Sequence, residues 1–587
     1  MKKPLLRLAV LAALLSLNAA RAGAPDFDSW AEGLAVERMR ADPTLATVRQ
    51  YLPEAEQQQL DGRLTPNTPA QRAARIASAK AALQQLAAFD RKGLNEQQRS
   101  SAAMVEWSLR STVDGEPYED FDFVFNQFRG LHVSLVNFLS QTHPIRHERD
   151  IANYLARLSQ AAGQIDNGIT RARAAAERGF LMPRFITEAA LGQFERLLAD
   201  EPARNVLVVS LAQRMDKLSG LKPEAKAKAL DQAEKQVADS VIPALRRAQA
   251  LLKEQLPKTT MDAGLWRLSG GDKAYAYELR RNTSTDYTPE QIHRIGRAEV
   301  ARIEAEMDGL LKKLGFDKGT VMERMKQLDD SLQPREPNPQ PALIARYAEL
   351  LRDAEQRAKS LFEILPKAPV EVRREPPFTE KTAAAHYSAP AKDGSLPGIF
   401  WAPLPGPTYR MTNMRTLTYH EGVPGHHFQI ALQQEATNLP RYRRDGVFSG
   451  GSAFTEGWAL YSEQLAAESG WYGDDIPGRL GQLDAELFRA KRLVADTGLH
   501  AMKWTRQQAL DYGIPGHEVD RYVVMPGQAC SYKLGMLHIL ELRQQARARL
   551  GDKFSLPRFH TLLLQTGNVP LTVLSQVVGE WVASQQR

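Results

Sequence analysis

Cysteine is almost missing from this chain. Cys530 is the only one in 587 residues, so no internal disulfide can form, and no cysteine stands near the N-terminus to carry a lipid anchor. Long apolar runs are also scarce. The one near the N-terminus, Leu8 to Leu17, is too short to span a bilayer as a mature helix, and no later segment is a transmembrane candidate. A strong charge of one sign is lacking too. The formal net charge is +7, and Lys2, Lys3, Arg7 and Arg21 supply four of those charges from the N-terminal segment, leaving +3 on the remainder. That is weak attraction for a polyanion, and no nucleic-acid partner is expected. No convincing fixed-period repeat is present, although alanine-rich helices imitate one. The H-E-x-x-H signature of a helical zinc site is missing as well.

What is present begins with Met1-Lys2-Lys3 and Arg7, the apolar run, and Ala20-Arg21-Ala22 before Gly23. These are the three parts of a secretory signal peptide over residues 1–22, and they predict a periplasmic or secreted protein with no stable membrane insertion after cleavage. Hydrophobic residues make up 43% and charged residues 25%, an ordinary globular composition with ample material for a core.

From Asp26 to about Leu365 the spacing is helical. Thr68-Pro69-Ala70-Gln71 and Thr288-Pro289-Glu290-Gln291 each place a capping hydroxyl before proline, with glutamine at the third helical position, and each predicts a helix start. Prolines at 334, 337, 339 and 341 mark a connection, so residues 23–340 are read as an N-terminal helical region and 341–587 as a second region, the two forming one interwoven unit. Val370-Glu371-Val372-Arg373 and Gly398-Ile399-Phe400-Trp401 read as short strands of a small sheet, either a solvated hairpin or an edge able to add an extended peptide. Helices are expected over Thr412–Gln434, Phe454–Leu465, Arg479–Leu510 and Gln528–Leu550. The fold class is mainly α with a minor β insertion.

One stretch concentrates chemistry: Tyr419-His420-Glu421-Gly422-Val423-Pro424-Gly425-His426-His427-Phe428-Gln429. Three histidines and a carboxylate fall within eight positions, and Glu456 follows inside an apolar-aromatic run that otherwise has little use for a charge. Neutral nitrogen and oxygen ligands with a nearby non-ligand carboxylate are what a catalytic zinc-like ion needs. In a regular helix, however, His420 and His426 would point about 120° apart, and His427 would sit about 10 Å along the axis. A shared ion therefore requires Gly422-Val423-Pro424-Gly425 to leave the helix, which proline and two glycines are suited to do.

His420-Glu421 followed by Gly425-His426 resembles the H-E-x-G-H core of the helical gluzincin peptidases, the thimet-oligopeptidase, thermostable-carboxypeptidase and angiotensin-converting-enzyme families, with two residues inserted. The motif together with Phe454-Thr455-Glu456-Gly457-Trp458-Ala459-Leu460-Tyr461, Asp496-Thr497-Gly498-Leu499-His500 and Pro526-Gly527-Gln528-Ala529-Cys530-Ser531-Tyr532-Lys533 is similar to the bacterial domain-of-unknown-function family 885, grouped with those zincins. The resemblance implies a two-lobed helical zincin-like fold around a deep cleft, with the small sheet before the metal-site helix. It also implies one Zn2+ held by His420, His426 and Glu456, with Glu421 as general base. His427 competes for the second histidine place, and Glu463 suits an outer or structural role. Tyr532 is the expected donor to a developing oxyanion. His500, with its ring oriented by Asp496, and Arg492 or Arg489 are candidates for binding substrate. The function expected is a zinc metallopeptidase acting on short peptides. A non-catalytic periplasmic binding protein and a hydrolase of another amide, such as a peptidoglycan fragment, are the alternatives.

Overall fold

The computed structural model describes residues 26–376, 380, 383–448 and 450–587. The signal segment expected over residues 1–22 lies outside the described residues. The chain is mainly helical, with one small sheet. Both sequence-expected caps form: the Thr68 hydroxyl accepts the Gln71 amide at the start of Pro69–Ala87, and Thr288 and Gln291 make a reciprocal capping box ahead of Pro289–Lys313.

Two large hydrophobic cores each draw on early and late parts of the chain. One joins Phe27, Ala31 and Tyr51 to Phe428, Trp458 and Val582. The other joins Phe125, Tyr154 and Phe194 to Leu499, Tyr522 and Leu534. Each fully buried Leu or Phe contributes about 1.5–3 kcal/mol, so neither core survives division of the chain near residue 340. A third core packs Ile303 and Met307 of Pro289–Lys313 against Leu480, Leu483 and Leu487 of the long helix Ile476–His500. Gly296 lets these two helices touch, since a Cβ there would come within 2.8 Å of Leu493 and Val494 side-chain atoms.

The sheet has three strands: β1 (Val370–Arg374), β2 (His386–Ser388) and β3 (Gly398–Ala402). β3 is central, parallel to β1 with Val370 opposite Gly398, and antiparallel to β2 with His386 opposite Trp401. Three residues of β2 escaped the sequence reading because a run so short shows no alternation. Phe400 and Ala402 pack with Tyr347 and Met414, which seats the sheet beside the helix that carries the motif.

Two helices are shorter than the sequence pattern suggests. Thr412–Gln434 is not continuous: Met414–Glu421 and His426–Glu435 are separate helices. Arg479–Leu510 is also interrupted, Ile476–His500 being followed by a separate Arg506–Asp511. There the Trp504 amide returns to the Gly498 carbonyl at 2.8 Å. A Cβ on Gly498 would collide with the Trp504 ring at 2.5 Å, and Thr505 with Gln508 caps the next helix. At the first break the residues on either side are buried alike, so apolar periodicity ran through it.

Candidate metal centre

The break in the motif is built by its own four residues and held by a neighbouring helix. The Gly422 amide still bonds the Thr418 carbonyl at 2.9 Å, after which the backbone departs from helical angles at Gly422 and Gly425. A side chain at Gly425 would fall on the carbonyls of Tyr419 and His420, so only glycine lets the second helix start so close to the end of the first. The Val423–Pro424 peptide is cis. The Pro424 carbonyl, released from the helix ladder, accepts the Trp458 indole at 2.9 Å and the Ser462 hydroxyl at 3.2 Å. Both donors lie on Ala453–Glu468, the helix that carries Glu456, so the loop and the third candidate ligand are fixed to one another.

The result brings His420, His426 and Glu456 together. One ligand atom from each lies within 4.8 Å of the others. Glu456 Oε2 stands 3.8 Å from His420 Nε2 and 3.6 Å from His426 Nε2, and the two rings are nearly perpendicular with centroids 4.9 Å apart. Around a tetrahedral zinc, with metal–ligand distances of about 2.0–2.2 Å, ligand atoms stand roughly 3.3 Å apart. The two separations to Glu456 are close to that, the third lies within 4.8 Å, and the groups are the right chemical types, so the residues fit a zinc-like ion.

His420 is held from behind. Its Nδ1 lies 2.7 Å from Glu463 Oε1, and both side chains are buried. Burial pushes the Glu463 carboxyl up to about 8 and holds His420 well below its ordinary value, and the one ring proton of the neutral imidazole is placed on Nδ1 by the contact with Glu463 Oε1. With that proton on Nδ1, Nε2 keeps its lone pair toward Glu456. His426 behaves differently. Burial opposes its charged form, but the hydrogen bond and charge of Glu456, with Glu421 and Glu463 nearby, outweigh burial and raise its pKa.

Glu421 is buried beside this cluster and is not one of the three clustered ligand groups. Burial raises its pKa, and the neighbouring charges of His426 and Glu456 act on it in opposite directions. Among the described residues no hydrogen bond fixes its carboxylate. His427 faces the other way: its Nδ1 is 3.0 Å from the Tyr387 hydroxyl of β2, burial lowers its pKa to about 4, and its ring abuts Gly398 of β3. The structure thus turns His426, and not His427, toward Glu456.

Tyr532 approaches through a helix crossing. Ser531–Leu550 meets Ala453–Glu468 where Gly535 lies against Gly457 and Ala453 with no room for a Cβ on either glycine. The Ser452 hydroxyl donates to that of Ser531 at 2.8 Å. Tyr532 lies one turn before Gly535 and packs against the first hydrophobic core. The Arg492 guanidinium lies 4.6 Å from the Tyr532 ring centroid and donates to Glu518 at 3.0 Å. Burial works against its charge, but Tyr522, Tyr532 and Glu518 outweigh that and raise its pKa.

His500 is not brought to this centre. Its Nδ1 accepts the Leu265 amide at 3.2 Å, its Nε2 donates to the Tyr522 carbonyl at 3.0 Å, and the ring lies on Tyr275. Neither nitrogen is left for a substrate. Asp496 does not orient that ring; it accepts from the Tyr275 hydroxyl at 2.6 Å and the Gly527 amide at 2.9 Å. Helical spacing put the two on one face, and packing gave each its own partners. The two donors to the Pro424 carbonyl were missed by the sequence reading. Only their position on the Glu456 helix, one turn apart, hinted at a shared partner.

The family profile of DUF885, described as a bacterial protein of unknown function, matches residues 43–578. The chain belongs to DUF885. Among solved structures it is similar to a "putative lipoprotein" from Colwellia psychrerythraea, at 32% identity and a TM-score of 0.85, covering 94% of this chain and 99% of that one. It also resembles a "putative lipoprotein of unknown function" from Shewanella oneidensis, at 19% identity and a TM-score of 0.72, covering 94% and 100%. The latter shows the shared fold alone. A match to an oligoendopeptidase F structure from Bacillus anthracis has 10% identity and a TM-score of 0.27 over 87% of this chain and 96% of that one, which carries no argument. No curated protein matches the chain. Among the described residues no helix is long and apolar enough to cross a membrane.

Proposed function

We propose that this DUF885 protein is an extracytoplasmic zinc-dependent peptidase of two-lobed, zincin-like architecture that hydrolyses short peptides. The observation that carries the reading is the donor set itself. Two histidines and one carboxylate converge at zinc spacing, and a further carboxylate, Glu421, stands beside them outside the ligand group. When bound, zinc would polarise the scissile carbonyl and make water a stronger acid. Every other part of the chemistry falls to the chain. His420, His426 and Glu456 would hold the ion, and Glu463 keeps His420 in the required tautomer. Glu421, raised by burial, takes a proton from water and returns it to the leaving amine, as a general base should when its pKa moves toward the working pH. Tyr532 is the donor assigned to the developing oxyanion, and the Arg492 charge against its ring favours that donor role.

Burial of the centre excludes folded proteins and favours short peptides. The lipoprotein description of the Colwellia psychrerythraea structure supports a location outside the cytoplasm. Metal analysis of the purified protein, followed by mass-spectrometric profiling of a peptide mixture, tests the reading. One zinc per chain is expected, with cleavage that disappears in Glu421→Gln while the zinc stays. Full activity in that variant, or hydrolysis indifferent to chelator, refutes it.

A further inference from the structure

We propose that Arg489 receives the C-terminal carboxylate of a peptide held at the metal centre, so that the enzyme works from the C-terminal end of its substrate; this rests on the peptidase reading above. Ile476–His500 packs against Met414–Glu421 and Ala453–Glu468, the helices that carry His420 and Glu456, and two of its arginines lie close enough for their charge to act on the centre. Arg492 acts on His420 and Glu456, and Arg489 on His420, Glu421, Glu456 and Glu463. They stand one turn apart on the same face of the helix, and their surroundings differ. Arg492 is committed: it is paired with Glu518 and has the Phe488 and Tyr532 ring centroids each 4.6 Å away.

Arg489 has no carboxylate partner among the described residues. Its one hydrogen bond goes to the Ala485 carbonyl of its own helix at 3.1 Å, and its Nε is buried with no acceptor. A guanidinium is always charged and presents five donors in a fork, so one that is half-buried with no carboxylate in hydrogen-bond reach is poised for an anion. The acids nearby are already assigned. Glu463 holds His420, and Glu456 faces both histidines, while Glu421 is the base. A dication at the centre would draw further on Glu456, leaving the Arg489 side short of negative charge. The one anion that every unmodified linear peptide carries is its terminal carboxylate, and its two oxygens match the guanidinium fork. An acidic side chain offers the same chemistry, so the two sources have to be separated by experiment.

Three probes do this on the zinc-loaded full chain: mercaptoacetyl-Ala-Ala as the free acid, the same compound as its amide, and mercaptoacetyl-Ala-Glu amide, the thiol giving each a common hold on the metal. Calorimetry is expected to show the free acid binding roughly 10–100-fold tighter than either amide, the range for hydrogen bonds to a charged group. In Arg489→Gln that preference should collapse to within about 3-fold through loss of the free acid alone, with zinc content and affinity for the amides unchanged. Arg489→Lys, which keeps the charge without the fork, should retain part of it. Equal affinity of acid and amide in the unaltered protein overturns the proposal, as does an Arg489→Gln variant that weakens all three probes alike, the mark of a structural role. Equal binding of the glutamate amide and the free acid overturns the terminal assignment. Failure to hydrolyse any peptide while the acid preference stands overturns the peptidase reading and leaves the carboxylate site in place.

Discussion

Two buried polar clusters lie along the helix Ile476–His500, and the same residue types build both. Near its middle, Arg489 and Arg492 face the His420–His426–Glu456 group. At its end, Asp496 and His500 meet Tyr275, Tyr522 and Gly527. The second cluster is closed: both nitrogens of His500 and the Asp496 carboxylate are engaged by backbone and side-chain partners. The first is open. His426 Nδ1, Glu463 Oε2 and the Nε atoms of Arg489 and Arg492 are buried without a hydrogen-bond partner. The Tyr522 hydroxyl of the second cluster is likewise buried without a partner, so what sets the first apart is that its unpaired atoms stand among side chains able to ligate a metal. Histidine and aspartate by themselves do not distinguish the two.

The sharpest way to break this comparison is to remove the proton acceptor of the open cluster. Glu421→Gln is expected to lower kcat/KM for peptide hydrolysis by about 10²–10⁴-fold, the range for a lost general base. Zinc stoichiometry should be unchanged, and His500→Gln should leave the rate near that of the unaltered protein. Next is metal affinity. Glu463→Gln is expected to weaken zinc binding by roughly 10–100-fold, as loss of the outer partner of a ligating histidine does, and Glu456→Ala by more. Competition against a zinc chelator reads both, and unchanged affinity in Glu463→Gln would show that His420 does not depend on that partner.

Smaller effects are expected in the closed cluster, and on stability alone. His500→Ala leaves the Leu265 amide and the Tyr522 carbonyl without partners and should cost about 1–3 kcal/mol of unfolding free energy. Urea denaturation measures that loss, and zinc affinity should not move. A further expected effect in the closed cluster is one of pH. Burial pushes the Asp496 carboxyl up to about 7 despite hydrogen bonds from Tyr275 and the Gly527 amide. A carboxyl raised in the fold above its unfolded value of about 3.9 supports stability below that value and loses the contribution as pH rises through about 7. Asp496→Asn, which keeps an oxygen for both donors, should flatten the stability profile between those limits. A profile identical to that of the unaltered protein would show that Asp496 titrates normally.

Much of the centre was legible from local chemistry. Pro424 between Gly422 and Gly425 cannot continue a helix, and an ion shared by His420 and His426 demanded that the chain break there. The Thr68 and Thr288 caps were equally local. His500 and Asp496 were misread for a related reason: their spacing put them on one helix face, but spacing says nothing of what that face meets. The break at Trp504 was likewise hidden, because it is made by the packing of Trp504 against Gly498 and not by any spacing of apolar residues.

The sequence by itself determined the kinds of ligand available, the place where the helix had to break, and the mainly helical class, because each follows from side-chain chemistry and backbone freedom within a few residues. Tertiary structure decided which groups meet. One step along a helix turns a side chain by about 100°, so the choice between His426 and His427 rested on distant partners. The Trp458 indole and Ser462 hydroxyl fix the Pro424 carbonyl, and β2 and β3 occupy the side of His427. Only those long-range contacts distinguish the open cluster from the closed one.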